Sequence, residues 1–322
     1  MIKEALSSEA EAKSDCLLTS LFLVGRYENI SGDKATLFET HGPGQIELLR
    51  LRGAEEFGTS RGRNLYHLIY SRQRLQDLNQ RRGPKNIFNA NFDKFHPGPH
   101  AMKLARILAK VTELYSAIPC VSNERSDCSG WNIRALDLEQ EVHRWIDDSP
   151  EMLHYWSIFP SSPSISTDTS TSHLYPKNMF IFKNIRVATG WNVFWCARIY
   201  LLHSTLEYRN GLTLQGSQDS VLPSQSAICQ SLQDTVDNIC ATVPFLLGEV
   251  DSDGTLSAES RRRALGGYYL VWSLHVVGSV RCLPFTQEAW IADRLMHIGN
   301  VLGIKQAFLF KQYRDLERGR TL

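Results

Sequence analysis

Ala227-Ile228-Cys229-Gln230-Ser231-Leu232-Gln233-Asp234-Thr235-Val236-Asp237-Asn238-Ile239-Cys240-Ala241-Thr242-Val243 is the stretch that decides the fold class. Ile228, Leu232, Val236, Ile239 and Val243 recur at steps of three and four, so on a helix they share one face. The same spacing returns in Leu104, Ile107, Leu108, Val111, Leu114 and Ile118, and in Ile291, Leu295, Ile298 and Leu302. A further helix is predicted from about residue 61 to 80, with Leu65, Leu68, Leu75 and Leu78 inward and Thr59 or Ser60 as its cap. Between Lys177 and Arg209 the chain is apolar nearly all round (Phe180, Ile181, Phe182, Trp191, Phe194, Trp195, Ile199, Leu201), which predicts one or two enclosed helices. No sustained alternation marks a strand, and Asn210-Gly211 reads as a helix stop. The expectation is an all-α chain, 1–322, forming a single bundle or irregular array of roughly 9–12 helices without a sheet. A Ser/Thr-rich loop from Pro160 to Pro176 interrupts it.

Composition narrows the function classes. With 43% hydrophobic and 21% charged residues the chain can bury a core. Lys+Arg 35 against Asp+Glu 34 gives a net charge of +1, without the basic excess by which autonomous nucleic-acid binders neutralise phosphates. Direct DNA binding by this chain is therefore not expected. Arg61/Arg63, Arg72/Arg74, Arg81-Arg82 with Lys85, and Arg261-Arg262-Arg263 read as solvated helix faces or caps. The seven cysteines are dispersed, odd in number and without a C-x-x-C pair, which suits free thiols in a reducing compartment. Neither a signal peptide nor a membrane association is expected, because the apolar run Ala264–Val280 falls short of the about 20 residues a span needs.

The residues that usually carry catalysis do not assemble in sequence. There is no phosphate loop, no H-E-x-x-H and no G-x-S-x-G elbow. Asp251-Ser252-Asp253-Gly254 opens like a calcium loop but lacks the closing Glu, so a turn is expected. His143 and Asp147, four apart, read as a helix-surface pair. No cofactor and no metal site is implied. The aromatic concentration is more informative: Trp191 and Trp195, with His203 nearby, and Tyr268 and Trp272, with His275 nearby, lie in two helical runs. Such side chains either fill a core or wall a pocket for a small apolar metabolite. Trp195 reads as core; Trp272, flanked by Gly266, Gly267, Ser273 and Gly278, reads as pocket wall.

Three segments together resemble the fungal-specific transcription factor domain, the regulatory region following the DNA reader in fungal zinc-cluster factors. The first runs from His41-Gly42-Pro43-Gly44 through Leu48-Leu49-Arg50-Leu51-Arg52-Gly53 to Gly62-Arg63-Asn64-Leu65. The second is Asp237 through Gly248, with Ile239-Cys240-Ala241-Thr242-Val243-Pro244-Phe245 at its centre. The third comprises Gly266-Gly267-Tyr268 to Leu274, Ala289-Trp290-Ile291, Ile298-Gly299 and Gly303-Ile304-Lys305-Gln306-Ala307. Gly53 and Gly248 are expected at helix stops, and Pro244 just beyond a helix break. None of these residues is reactive, so the segments describe a scaffold.

The resemblance implies a helical domain that senses a small molecule or protein partner and controls gene expression, often as a homodimer, in the nucleus or cytoplasm. It associates such domains with metabolic or secondary-metabolite genes. The six clustered cysteines of the family's zinc reader have no counterpart in these 322 residues. The alternative is a stand-alone enzyme or small-molecule-binding protein of a biosynthetic pathway on the same helices.

Overall fold

The computed structural model describes residues 8–32, 41–53, 58–83, 98–122, 130–159, 176–214, 220–256 and 263–309. The Ser/Thr-rich loop, apart from Pro176, lies outside them. Contacts divide the chain into two compact units, 1–145 and 146–322.

The first unit is helical throughout its described residues. A short α1 (Glu9–Ala12) leads into α2 (Asp15–Ser31), whose first turn is capped by Ser14 accepting from the Leu17 amide at 3.1 Å. α3 (Gly42–Arg52) carries Pro43 in its first turn, where a missing N–H costs nothing. α4 (Ser60–Asn79) begins at Thr59, which accepts from Gly62 N at 3.0 Å. Leu17, Leu18, Leu21, Ile46, Leu49, Leu65, Tyr66 and Ile69 meet in the core of these helices. Leu65 and Leu78 point inward as expected, but Leu68 is 44% exposed. Its place inside is taken by Tyr66, Ile69 and Tyr70, which bring more apolar surface to the same face. α5 (Pro99–Ser122) and α6 (Trp131–Asp147) form an antiparallel hairpin. Trp131 donates to the Leu114 carbonyl near one end and Trp145 to the His100 carbonyl at the other.

The second unit corrects the sheet-free expectation. Tyr155–Ile158 (β1) and Met179–Phe182 (β2) pair antiparallel, Tyr155 opposite Phe182 and Ile158 opposite Met179. Phe180, Ile181 and Phe182, read in sequence as helical, therefore belong to a strand buried on both faces, where no alternation survives. The chain remains mostly helical: α7 (Ile185–Leu214), α8 (Gln225–Leu247), α9 (Ala264–Gly278) and α10 (Phe285–Val301) follow. α7 runs 30 residues and passes straight through Asn210-Gly211, so that pair is no stop. α8 returns antiparallel to it. Thr242, late in α8, donates to Asn192, early in α7, while Arg209 reaches the Leu222 and Pro223 carbonyls ahead of α8.

α8 does not break before Pro244 but continues to Leu247 and closes on Gly248, in left-handed conformation at φ 84°. Glu249 N then donates to the Pro244 carbonyl at 2.8 Å, so an orphan acceptor of the last turn is satisfied. α9 crosses close to this end. A Cβ on Gly266 would stand 1.9 Å from the Leu246 carbonyl oxygen, so only glycine allows the two backbones this approach. α10 lies beside α8, with Gln287 donating to Asp237 at 2.8 Å and Arg294 reaching Glu249 at 3.1 Å.

Several arginines from the basic clusters serve as ties between elements and are not merely solvated. Arg74, 8% exposed, donates to the Ala105 carbonyl of α5. Arg81 donates to the Tyr115 carbonyl and lies over its ring. Arg263 joins three pieces: it donates to the Phe245 carbonyl at 2.9 Å, pairs with Asp251 at 2.7 Å and covers the Phe245 ring.

Candidate functional site

The strand pair and the first turns of α7 carry an aromatic cluster built around two of the residues singled out in sequence. Trp191 and Trp195 stand one turn apart on α7, so their indoles lie on one face, with centroids 5.2 Å apart. Tyr155 of β1 meets both edge-on, at 5.1 and 5.8 Å, and Phe180 of β2 packs on Trp195 at 5.8 Å. Phe182 extends the cluster to Phe245 of α8. Trp191 donates its indole N–H to the Leu153 carbonyl at 2.7 Å, in the short 3-10 turn Glu151–Leu153 before β1. Burial raises the Tyr155 hydroxyl above its ordinary pKa of 10.0. Trp191 and Trp195 are 4% and 2% exposed, so the cluster is buried. Tyr155 was the member that sequence reasoning missed, because its pairing with Phe182 closes across a long intervening segment.

The other four residues are placed differently. His203 lies further along α7 and pairs with Glu207 on its own helix, at 3.5 Å. Tyr268 stands on α9 edge-on to Tyr269 at 5.7 Å, and His275 occupies the last turn of that helix. Trp272 is half-buried, and its enclosed indole N–H finds no acceptor among the described residues. The next residue, Ser273, is buried and hydrogen-bonds with Cys196 of α7, whose thiol burial pushes far above its ordinary range. Cys196 lies one turn from Asn192, the partner of Thr242. A narrow polar seam therefore runs through the otherwise apolar packing of α7, α8 and α9.

The remaining chemical candidates resolve into structural contacts. His143 is engaged by Glu139, its Nδ1 lying 2.7 Å from the Glu139 carbonyl, on the side away from Asp147. The Asp251 carboxylate is held by Arg263, and Asp253 accepts from Thr255 N within a turn closed by Gly254 at φ 84°. Those contacts account for the acidic run as a turn. Among the described residues no three His, Cys, Asp or Glu side chains stand together as a metal cluster would require. A groove of about 290 Å³ between α5 and α6 is lined by Lys110, Glu113, Arg134, Asp137 and Glu141. Its cations are already engaged, Lys110 with Glu141 at 2.5 Å and Arg134 with Glu113 at 3.8 Å. No described helix is long and apolar enough to cross a membrane.

Comparison of the chain with protein-family models, with curated proteins and with solved structures finds no match.

Proposed function

We propose that this chain is a transcription-regulatory domain of the fungal zinc-cluster type, acting through a small apolar metabolite or a protein partner, a second copy included, and not through DNA contacts of its own. One observation carries the reading: the residues on which the resemblance rests occupy the joints of the fold. Gly53 ends α3 at φ 76° and Gly248 ends α8 at φ 84°. Gly266 makes the close approach to Leu246, and Gly303 turns the chain at φ 72° so that Ile304 and Ala307 bury themselves. A motif made of stops and close approaches specifies a scaffold, as expected of a domain whose task is to adopt and relay a conformation. The near-zero net charge fits a domain that leaves phosphate contacts to another module.

Tethering the full chain to an unrelated DNA-binding module tests this. A reporter driven by that module's site should change its output relative to the module alone, and an unchanged reporter would overturn the proposal. The untethered chain should show no sequence-selective binding to duplex DNA tighter than about micromolar at physiological salt, the range of non-specific binding. The second reading, a stand-alone small-molecule carrier or enzyme, draws on the enclosed indole N–H of Trp272. In that case the apolar dye anilinonaphthalenesulfonate brightens on the folded chain, and Trp272→Ala removes the brightening without changing the melt.

A further inference from the structure

The described cysteines fall into two groups. Cys196 and Cys240 are buried within helices, and Cys16 is exposed in the first unit. Cys229 and Cys282 differ from these because, although distant in sequence, they stand side by side. Cys229 lies in the second turn of α8, and Cys282 lies in the connection from α9 to α10. Their side chains are within hydrogen-bonding reach of one another.

Neighbouring contacts bring the same two stretches of chain together. Cys229, Gln233 and Asp237 follow at steps of four and so form one stripe along α8. Gln233 donates to Gln287 at 2.7 Å and Gln287 donates to Asp237 at 2.8 Å. The stripe is thereby pinned against the start of α10, and Cys282, five residues earlier, meets the next turn of the stripe. Solvent reaches the pair: Cys282 is exposed and Cys229 half-buried. Partial burial and the nearby Cys229 raise the Cys282 thiol above its ordinary pKa of 9.0.

We propose that Cys229 and Cys282 are a paired-thiol modification site, oxidised by hydrogen peroxide to a disulfide that clips α8 to the connection before α10. One sulfur, as thiolate, attacks the peroxide O–O bond and becomes a sulfenic acid, while the departing hydroxide takes up a proton as water. The second sulfur then attacks the first, the S–O bond breaks, and the oxygen leaves as a second water. Two thiols give up two electrons and two protons, and one peroxide is reduced to two waters. A sulfenic acid resolves quickly where a second thiol stands within reach, as Cys229 and Cys282 do for one another. The clip would close the chain from Cys229 to Cys282 around all of α9, restricting the unfolded ensemble of that segment.

The test uses the full chain, reduced, freed of reductant, exposed to hydrogen peroxide under native conditions and then alkylated. Mass mapping without reduction should show the Cys229 and Cys282 peptides joined, two hydrogens lighter than their sum and separable by dithiothreitol. Their alkylation should be lost before that of Cys16. The oxidised chain should melt at a higher temperature than the reduced one, and Cys229→Ser and Cys282→Ser should each abolish that difference. If both cysteines remain alkylated after Cys16 has been oxidised, or proceed separately to sulfinic acid, the proposal is overturned. That mapping is made on the wild-type chain, so it decides the matter even where a serine variant fails to fold.

Discussion

Trp195→Ala tests the aromatic cluster where it is most enclosed. The indole is 2% exposed and meets Trp191, Tyr155 and Phe180 at centroid distances of 5.2, 5.8 and 5.8 Å. Removing it takes away the transfer free energy of a large aromatic and leaves a cavity that only partly collapses, together about 3–5 kcal/mol. The site should lie at the upper end of that range, since each lost aromatic pair adds about 0.5–1.5 kcal/mol beyond area alone. For a unit of this size each kcal/mol lowers the melting midpoint by about 2–4 °C. Near-ultraviolet circular dichroism reports loss of the packed rings, and differential scanning calorimetry reports the midpoint. Trp195→Phe should recover much of the loss, because a ring remains against Tyr155 and Phe180. If Trp195→Ala kept an unchanged melting curve, the cluster would be walling a space and not filling one, and the distinction drawn here between Trp195 and Trp272 would collapse.

Three further outcomes follow from particular contacts. Gly266→Ala should destabilise by about 1–3 kcal/mol in a denaturant titration despite alanine's better helix propensity, because the new methyl meets the Leu246 carbonyl; a gain in stability would refute the close approach. Arg263→Lys should lose stability although charge is kept, since an ammonium cannot serve the Phe245 carbonyl, Asp251 and the Phe245 ring together; a melt equal to wild type would show that charge alone suffices. His67 is held below its ordinary pKa of 6.5 by burial and then by the Arg63 charge, so below that pH the unfolded chain binds the proton more readily than the folded one. Its contribution is therefore intact above about pH 6.5 and is lost as pH falls toward the depressed folded value; His67→Gln should flatten that acid limb of the stability–pH curve.

The helices were legible because their apolar stripes have a period that survives in sequence: Val111, Leu114, Ile228, Leu232, Val236 and Ile298 are all buried as the spacing required. The strand pair was not, for a physical reason. Its strands have four residues each, β2 is buried throughout, and the two are separated by a long segment, so neither alternation nor a short turn announces them. Asn210-Gly211 misled because a helix held by packing over 30 residues tolerates residues that would end an isolated one. Of the candidate site, Trp191 and Trp195 were recognisable as neighbours from their spacing. Whether large aromatics meet each other or a ligand depends on partners such as Tyr155 that approach from elsewhere in the chain. The ties made by Arg74, Arg81 and Arg263 were hidden for the same reason, since a carbonyl acceptor leaves no trace in sequence.

The register of the strand pair has a consequence for how the chain can vary. Ile158 sits opposite Met179, so whatever joins them leaves and re-enters the fold from points one strand spacing apart, about 5 Å. The free energy of closing such a loop grows only with the logarithm of its length, about 0.6 kcal/mol for each doubling. Residues added to or removed from the serine- and threonine-rich stretch between the strands therefore change folding stability little, while a single-residue slip would turn Tyr155 of β1, or Phe180 and Phe182 of β2, away from the rings they pack on. The length of this stretch is thus free to drift, and the phase of its two ends is fixed.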